Sequence, residues 1–271
     1  RGIPVFSYIP PSAWAWRKGR AKSCAALADE IVAIFPHELP PYEVAGANIS
    51  FVGNPLIDTV RAEMEPEEAC RHFGIEENDV PILLMPGSRR EEIERLLPPM
   101  LGAAEILQTR DPARRFFLPV AGGVDEQRIE EHLAASPVEV TLTHDARYAL
   151  MKAARAAIAA SGTVVMEAAV MGLPAVVLYR MSALSYFVGR LLVDVPRFSL
   201  PNILLGETFE TELLQGAVQP ERIAAAMEPI IADGEARSYV TERLACAVEM
   251  LGEPHAARRV AEKIIALGRR V

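Results

Sequence analysis

Between Asp79 and Tyr179, short apolar runs alternate with helical runs, and most of the apolar runs end in a turn rich in Gly, Pro or Ser. Such alternation points to a parallel sheet, because each strand must be joined to the next by a helix crossing the sheet face. Val80–Met85 reads as a strand ended by Pro86-Gly87-Ser88, and Glu91–Leu107 follows with Ile93, Leu96, Leu97, Met100 and Leu101 at helical spacing. Pro98-Pro99 predicts a kink or break midway along that helix. Phe116–Val120, Val138–Leu142, Ala156–Ala160 and Ala175–Tyr179 read as further strands, with helices at Asp125–Leu133, Asp145–Met151 and Val164–Met171. Their near-continuous apolarity, rather than alternation, suits strands covered by helices on both faces.

The flanks differ from this middle. Ile3–Tyr8, Glu30–Phe35 and Ile49–Val52 look like strands of an earlier unit, with a basic helical stretch at Ala13–Leu27 and a hinge near residues 58–66. After Tyr179 only helical runs are evident, at Ser182–Leu192, Pro220–Ala232 and Ala236–Leu267. The expected division is therefore residues 1–60, 61–195 and 196–271: the end of one α/β domain, a second α/β domain and a helical tail. The chain opens Arg-Gly-Ile-Pro-Val-Phe inside an apolar run and without Met, as expected of the back part of something longer.

Composition narrows the function classes. With 28 basic and 36 acidic residues the net charge is −8, the wrong sign for wrapping nucleic acid by counterion release. Cys24, Cys70 and Cys246 form no C-x-x-C pair, so neither a disulfide framework nor a zinc knuckle is written, and a reducing compartment fits. The five histidines lack metal-ligand spacing. The uncharged stretch from Gly2 to Trp16 carries three prolines and falls short of the ~20 apolar residues that a spanning helix needs. G-x-S-x-G, G-x-x-x-x-G-K and G-x-G-x-x-G are all absent, which removes the hydrolase elbow, the P-loop and the dinucleotide fingerprint.

Open parallel sheets bind ligands beyond the carboxyl ends of their strands, which singles out the turns after Met85 and Ala160. Ser88-Arg89-Arg90 offers a hydroxyl, a helix N-terminus and two guanidinium groups for phosphate. It reads equally well as a capping box of Ser88 with Glu91 and two solvated arginines. Ser161-Gly162-Thr163 is sharper, because Glu167 lies one turn beyond Thr163 in an otherwise apolar or small-residue helix. A carboxylate there costs several kcal/mol unless it is hydrogen-bonded, and the two hydroxyls of a ribose would satisfy it. Trp14 and Trp16 precede Arg17, Lys18, Arg20 and Lys22; paired indoles beside a basic cluster suit either core anchoring or a membrane interface.

Taken in order, these segments resemble the lipid-A-disaccharide synthase family of glycosyltransferases. The matching pieces are Pro11-Ser12-Ala13-Trp14-Ala15-Trp16-Arg17, Phe35-Pro36-His37-Glu38, Phe51-Val52-Gly53-Asn54-Pro55, Pro86-Gly87-Ser88-Arg89 and Ala160-Ser161-Gly162-Thr163 with Glu167. Tyr179-Arg180-Met181, Ser199-Leu200-Pro201-Asn202 and Glu212-Leu213-Leu214-Gln215 follow. The resemblance implies the two-domain GT-B architecture, with residues 1–60 as the end of the acceptor domain and 61–195 as a doubly wound donor domain. It implies transfer of 2,3-diacylglucosamine from its UDP conjugate to the 6-hydroxyl of 2,3-diacylglucosamine 1-phosphate, with inversion, release of UDP and no cofactor or metal.

On this reading Ser88, Arg89, Ser161, Gly162, Thr163 and Glu167 hold UDP. Asn202, Glu212 and Gln215 lie near the donor sugar or shape its pocket, and Trp14, Trp16 and Arg17 face the acceptor or membrane. A cytoplasmic protein peripheral to the inner membrane, with a homodimer allowed, is the implied setting. Many members of the family carry His where this chain has Asn54, so no proton transfer is assigned there. The family's Gly-Glu-Thr-Ser-Gly opening and its acidic general-base candidate have no counterpart in these residues, so turnover by this chain alone is not expected. The alternatives are an isomerase of the same architecture, such as a UDP-N-acetylglucosamine 2-epimerase, or a non-catalytic UDP-sugar-binding module.

Overall fold

A computed structural model of the chain describes residues 3–14, 19–182 and 196–269. These fall into two compact units, one of residues 3–59, 196 and 247–269, the other of residues 60–182 and 197–246.

The first unit is built on three parallel strands in sequence order, β1 (Phe6–Tyr8), β2 (Glu30–Ala33) and β3 (Ile49–Phe51), with Phe6 beside Glu30 and Ile31 beside Ile49. Helices α1 (Gly19–Leu27), α2 (Leu39–Val44) and α3 (Leu56–Thr59) connect or follow them. Ala13, Ala21, Ile31 and Tyr42 form the buried core, and the Tyr42 hydroxyl donates to the Pro11 carbonyl at 2.6 Å.

In the second unit α4 (Pro66–Phe73) precedes a run of alternating elements: β4 (Val80–Met85), α5 (Arg90–Arg110), β5 (Arg114–Pro119), α6 (Glu126–Ala134), β6 (Val140–Thr143), α7 (Arg147–Ala153), β7 (Ala156–Ala160), α8 (Thr163–Val170) and β8 (Ala175–Tyr179). Then come α9 (Leu200–Leu205), β9 (Glu212–Leu214) and α10 (Pro220–Ile231), and the unit ends at Cys246, within α11 (Glu235–Glu249). The sheet is parallel throughout, in the order β6-β5-β4-β7-β8-β9. The α/β class with a doubly wound parallel sheet, expected from the sequence, is the one observed. Ile82, Leu83 and Leu84 and all of β7 are buried, as strands covered on both faces must be.

Three expectations need correction. Helix α5 runs unbroken through Pro98 and Pro99. The two missing N–H groups cost helical hydrogen bonds, but Leu96, Leu97, Pro99, Met100 and Leu101 are all buried, and their packing holds the segment helical. Gly102 of the same helix lets α10 approach: a Cβ there would lie 2.8 Å from the Pro220 ring. A strand does follow Tyr179, since β9 pairs with β8. It is three residues long, carries Glu212 and takes the sheet edge, so its apolar pattern is too short to stand out. The expected tail at residues 196–271 is divided, because residues 197–246 complete the second unit while residues from Ala247 belong to the first.

Particular polar contacts explain that division. Arg114 of β5, nearly buried, holds Glu228 of α10 through two bonds of 2.8 and 3.0 Å, and Arg110 adds a third at 2.8 Å. In the first unit the closing helix α12 (Ala256–Gly268) is capped by Asp58, which accepts the His255 and Ala256 N–H groups at 2.7 and 3.1 Å. Lys263 of α12 reaches the buried Glu30 of β2 at 2.8 Å. The expected helix Ser182–Leu192 lies almost wholly outside the described residues.

Candidate functional site

Strands β4 and β7 are neighbours whose connections leave in opposite directions, β4 toward β5 and β7 toward β8. Their carboxyl ends therefore diverge and open a crevice at the point where strand order reverses. A cavity of about 310 Å³ lies there. The loop after β4 (Pro86, Gly87, Ser88, Arg89), the loop after β7 (Ser161, Gly162, Thr163) and Glu167 of α8 all line it, so six residues read from the sequence as holding UDP share one cavity.

The first loop turns at Gly87, whose φ of +99° is a conformation that side-chain-bearing residues rarely adopt. Arg89 rather than Ser88 is the N-cap of α5, and the capping carboxylate is Glu92 rather than Glu91. Glu92 accepts the Arg89 N–H at 3.3 Å and binds the Arg89 guanidinium at 2.7 Å, whereas Glu91 pairs with Arg95 at 3.0 Å. This shifts the expected capping box by one residue and leaves the Ser88 side chain exposed at the cavity.

The second loop is anchored from both sides. The Ser161 N–H donates to the Leu178 carbonyl at 2.8 Å, and its hydroxyl donates to the Phe198 carbonyl at 2.8 Å. With both donors engaged, Ser161 fixes the loop. Gly162, Thr163 and Val164 line the cavity at the start of α8, where the first helical amides have no intrahelical acceptor and the helix presents its positive end, and Thr163 is exposed. Gly162 is extended, with φ 168°, and a Cβ built on it meets nothing within 4 Å. The fold leaves room there, on the cavity side.

Glu167 presents its carboxylate to the cavity with the side chain only 13% exposed, and its ion-pair partner is Arg147 at 3.3 Å. Arg147 is the first residue of α7, follows Ala146 in the left-handed conformation, and sits over the Tyr148 ring, 4.6 Å from its centre. Sequence reasoning missed Arg147. The signal available was position: α7 begins beyond the carboxyl end of β6, the edge where this class of sheet binds ligands.

The other candidates lie elsewhere. Asn202 is fully buried and does not line the cavity; its amide is engaged at both atoms by the Phe209 and Glu210 backbone and by Glu212. Glu212 and Gln215 hold backbone: Glu212 at Phe198 and Ser199, Gln215 at Met181. In the first unit Trp14 meets His37 edge to face with ring centres 4.9 Å apart, and Phe35 stacks on His37 at 5.4 Å. Burial lowers the His37 pKa to about 4. Asn54 is buried, donating to Ile34 at 2.8 Å and accepting from Leu56 at 2.9 Å. Trp16 and Arg17 lie outside the described residues.

The profile of the lipid-A-disaccharide synthetase family matches residues 2–264. The lipid-A-disaccharide synthase of Syntrophus aciditrophicus is 44% identical over 267 residues, covering 98% of this chain and 70% of that protein. That of Geobacter sulfurreducens is 40% identical over 271 residues, covering 100% and 71%. Among solved structures, the UDP-GlcNAc 2-epimerase of Neisseria meningitidis bound to UDP-GlcNAc superposes with a TM-score of 0.68 at 16% identity, covering 97% of this chain and 70% of that one. At that identity the likeness concerns the fold alone.

Proposed function

The chain belongs to the lipid-A-disaccharide synthase family of glycosyltransferases, and we propose that the cavity between the β4 and β7 loops holds the UDP part of the donor in lipid A disaccharide formation. The observation that carries this reading is the meeting of Ser88, Arg89, Gly162, Thr163 and Glu167 at one cavity on the switch point of the sheet.

The reaction is transfer of 2,3-diacylglucosamine from its UDP conjugate to the 6-hydroxyl of 2,3-diacylglucosamine 1-phosphate, with inversion at the anomeric carbon. As the bond between that carbon and the β-phosphate oxygen breaks, negative charge grows on the leaving UDP. On this reading the amides at the start of α8, the Thr163 hydroxyl and the Arg89 guanidinium, all from residues that line the cavity, stabilise that charge. Glu167 accepts the two ribose hydroxyls, which gives its shielded carboxylate the hydrogen bonds that burial demands. The acceptor hydroxyl loses its proton to a base, a role given to no residue named here.

The two acylated substrates place the enzyme at a membrane surface, and Trp14, Trp16 and Arg17 are the residues proposed to face it. The contact proposed is peripheral; no helix among the described residues is long and apolar enough to cross a membrane. Calorimetric titration of UDP, UDP-2,3-diacylglucosamine and UDP-N-acetylglucosamine tests the reading. Binding of UDP with preference for the acylated donor is expected; preference for the unacylated sugar would favour the epimerase-like alternative instead.

A further inference from the structure

Glu212 of β9 and Asn202 of α9 are the candidates that the donor cavity does not absorb. Glu212 accepts three hydrogen bonds: from the Phe198 N–H at 3.0 Å, the Ser199 N–H at 3.0 Å and the Asn202 side chain at 2.7 Å. Asn202 in turn accepts the Phe209 and Glu210 N–H groups at 3.0 Å each and donates to the Glu210 carbonyl at 2.9 Å. These contacts gather the start of α9 and the approach to β9 around one carboxylate. Neither side chain lines the cavity, although the chain they hold is tied to it. The Phe198 carbonyl, on the residue whose N–H Glu212 accepts, receives the Ser161 hydroxyl proton.

We infer that Glu212 is a positioning residue for the donor cavity, acting through the Phe198 backbone on Ser161 and so on the Gly162-Thr163 amides at the start of α8. A carboxylate accepting two successive N–H groups fixes the peptide plane between Phe198 and Ser199, and with it the direction of the Phe198 carbonyl. Ser161 can keep its hydroxyl bond only while that carbonyl points toward it. Without it, the loop retains the Ser161 N–H bond to Leu178 and is free to turn about it. Helix-terminus amides bind an anion best when already aimed at it, so a looser loop binds UDP less tightly even though no ligand contact is deleted.

This inference rests on the donor-cavity reading, and a double-mutant cycle separates the two. UDP affinity is measured by calorimetry for the wild-type chain, Glu212→Ala, Ser161→Ala and the double variant, with melting temperature as the control for folding. Each single variant is expected to weaken UDP roughly five- to tenfold, as loss of one or two hydrogen bonds does, and the double to be no weaker than the worse single. Glu212→Ala binding like wild type, or the two effects multiplying, would overturn the positioning role. If Glu212→Ala does not fold, Glu212→Gln takes its place in the cycle.

Amide hydrogen exchange in Glu212→Asp needs no ligand. Faster exchange at residues 161–164 as well as at 198–199 is expected, and unchanged exchange at 161–164 overturns the inference. Should wild type bind no UDP while that exchange coupling is present, the donor-cavity reading fails and the link between β9 and the loop stands.

Discussion

Glu167 lies between Met166 and Ala168, both buried, with its own side chain only 13% exposed and Arg147 3.3 Å away. One guanidinium at that distance satisfies part of a carboxylate that can accept several hydrogen bonds, and on the proposed function a vicinal diol would supply the rest. Glu167→Ala is therefore expected to cost about 2 kcal/mol of UDP affinity, roughly thirtyfold, and to leave 2′-deoxy-UDP much less affected. Equal losses for both ligands would remove the ribose from the account. Glu210 poses a different problem, being buried beside Ser199, which donates to it at 2.9 Å. Burial raises its pKa to about 8, against the Ser199 bond, and the nearby Glu212 charge adds to the rise. Between the ordinary carboxylate value and pH 8 the unfolded chain releases a proton that the folded chain keeps, so this group lowers stability as pH rises. The melting temperature of Glu210→Gln, relative to wild type, is expected to climb from pH 5 to pH 8; parallel pH profiles would contradict this.

At the scale of elements, local rules and burial compete. Pro98 is exposed within α5, so its ring contributes little packing while still removing a helical hydrogen bond. Pro98→Ala is expected to stabilise the protein by about 1–2 kcal/mol, the helix-interior penalty of proline less its restriction of the unfolded chain. Thermal or urea denaturation checks it, and a loss of stability would show that the proline shapes α5 usefully. Strands β4, β7 and β8 were legible to the residue, because their apolar runs are bounded by turn residues: Pro86-Gly87 after β4, Ser161-Gly162 after β7, and Gly172 and Pro174 before β8. The one-turn spacing of Thr163 and Glu167 likewise placed both at the cavity. What stayed hidden depends on partners far along the chain. The continuity of α5 rests on the core beneath Pro99, β9 on pairing with β8, and the engagement of Asn202 and Glu212 on backbone up to fourteen residues away.

For the whole molecule, the sequence announced the alternation of strands and helices but not how the last quarter is shared between two units. Asp58 capping α12 and Arg114 holding Glu228 are contacts 197 and 114 residues apart, which no local pattern encodes. The central claim concerns one place in this architecture, the crevice between β4 and β7. Gly162 tests it most directly, because its backbone is extended and a Cβ there meets nothing within 4 Å, so a larger side chain costs the fold little and fills space the ligand needs. The deciding measurement is calorimetric titration of UDP into the wild-type chain and Gly162→Val at matched melting temperature. UDP is expected to bind the wild type and to bind Gly162→Val at least tenfold more weakly, a difference of about 1.4 kcal/mol. Equal binding by the two would contradict it.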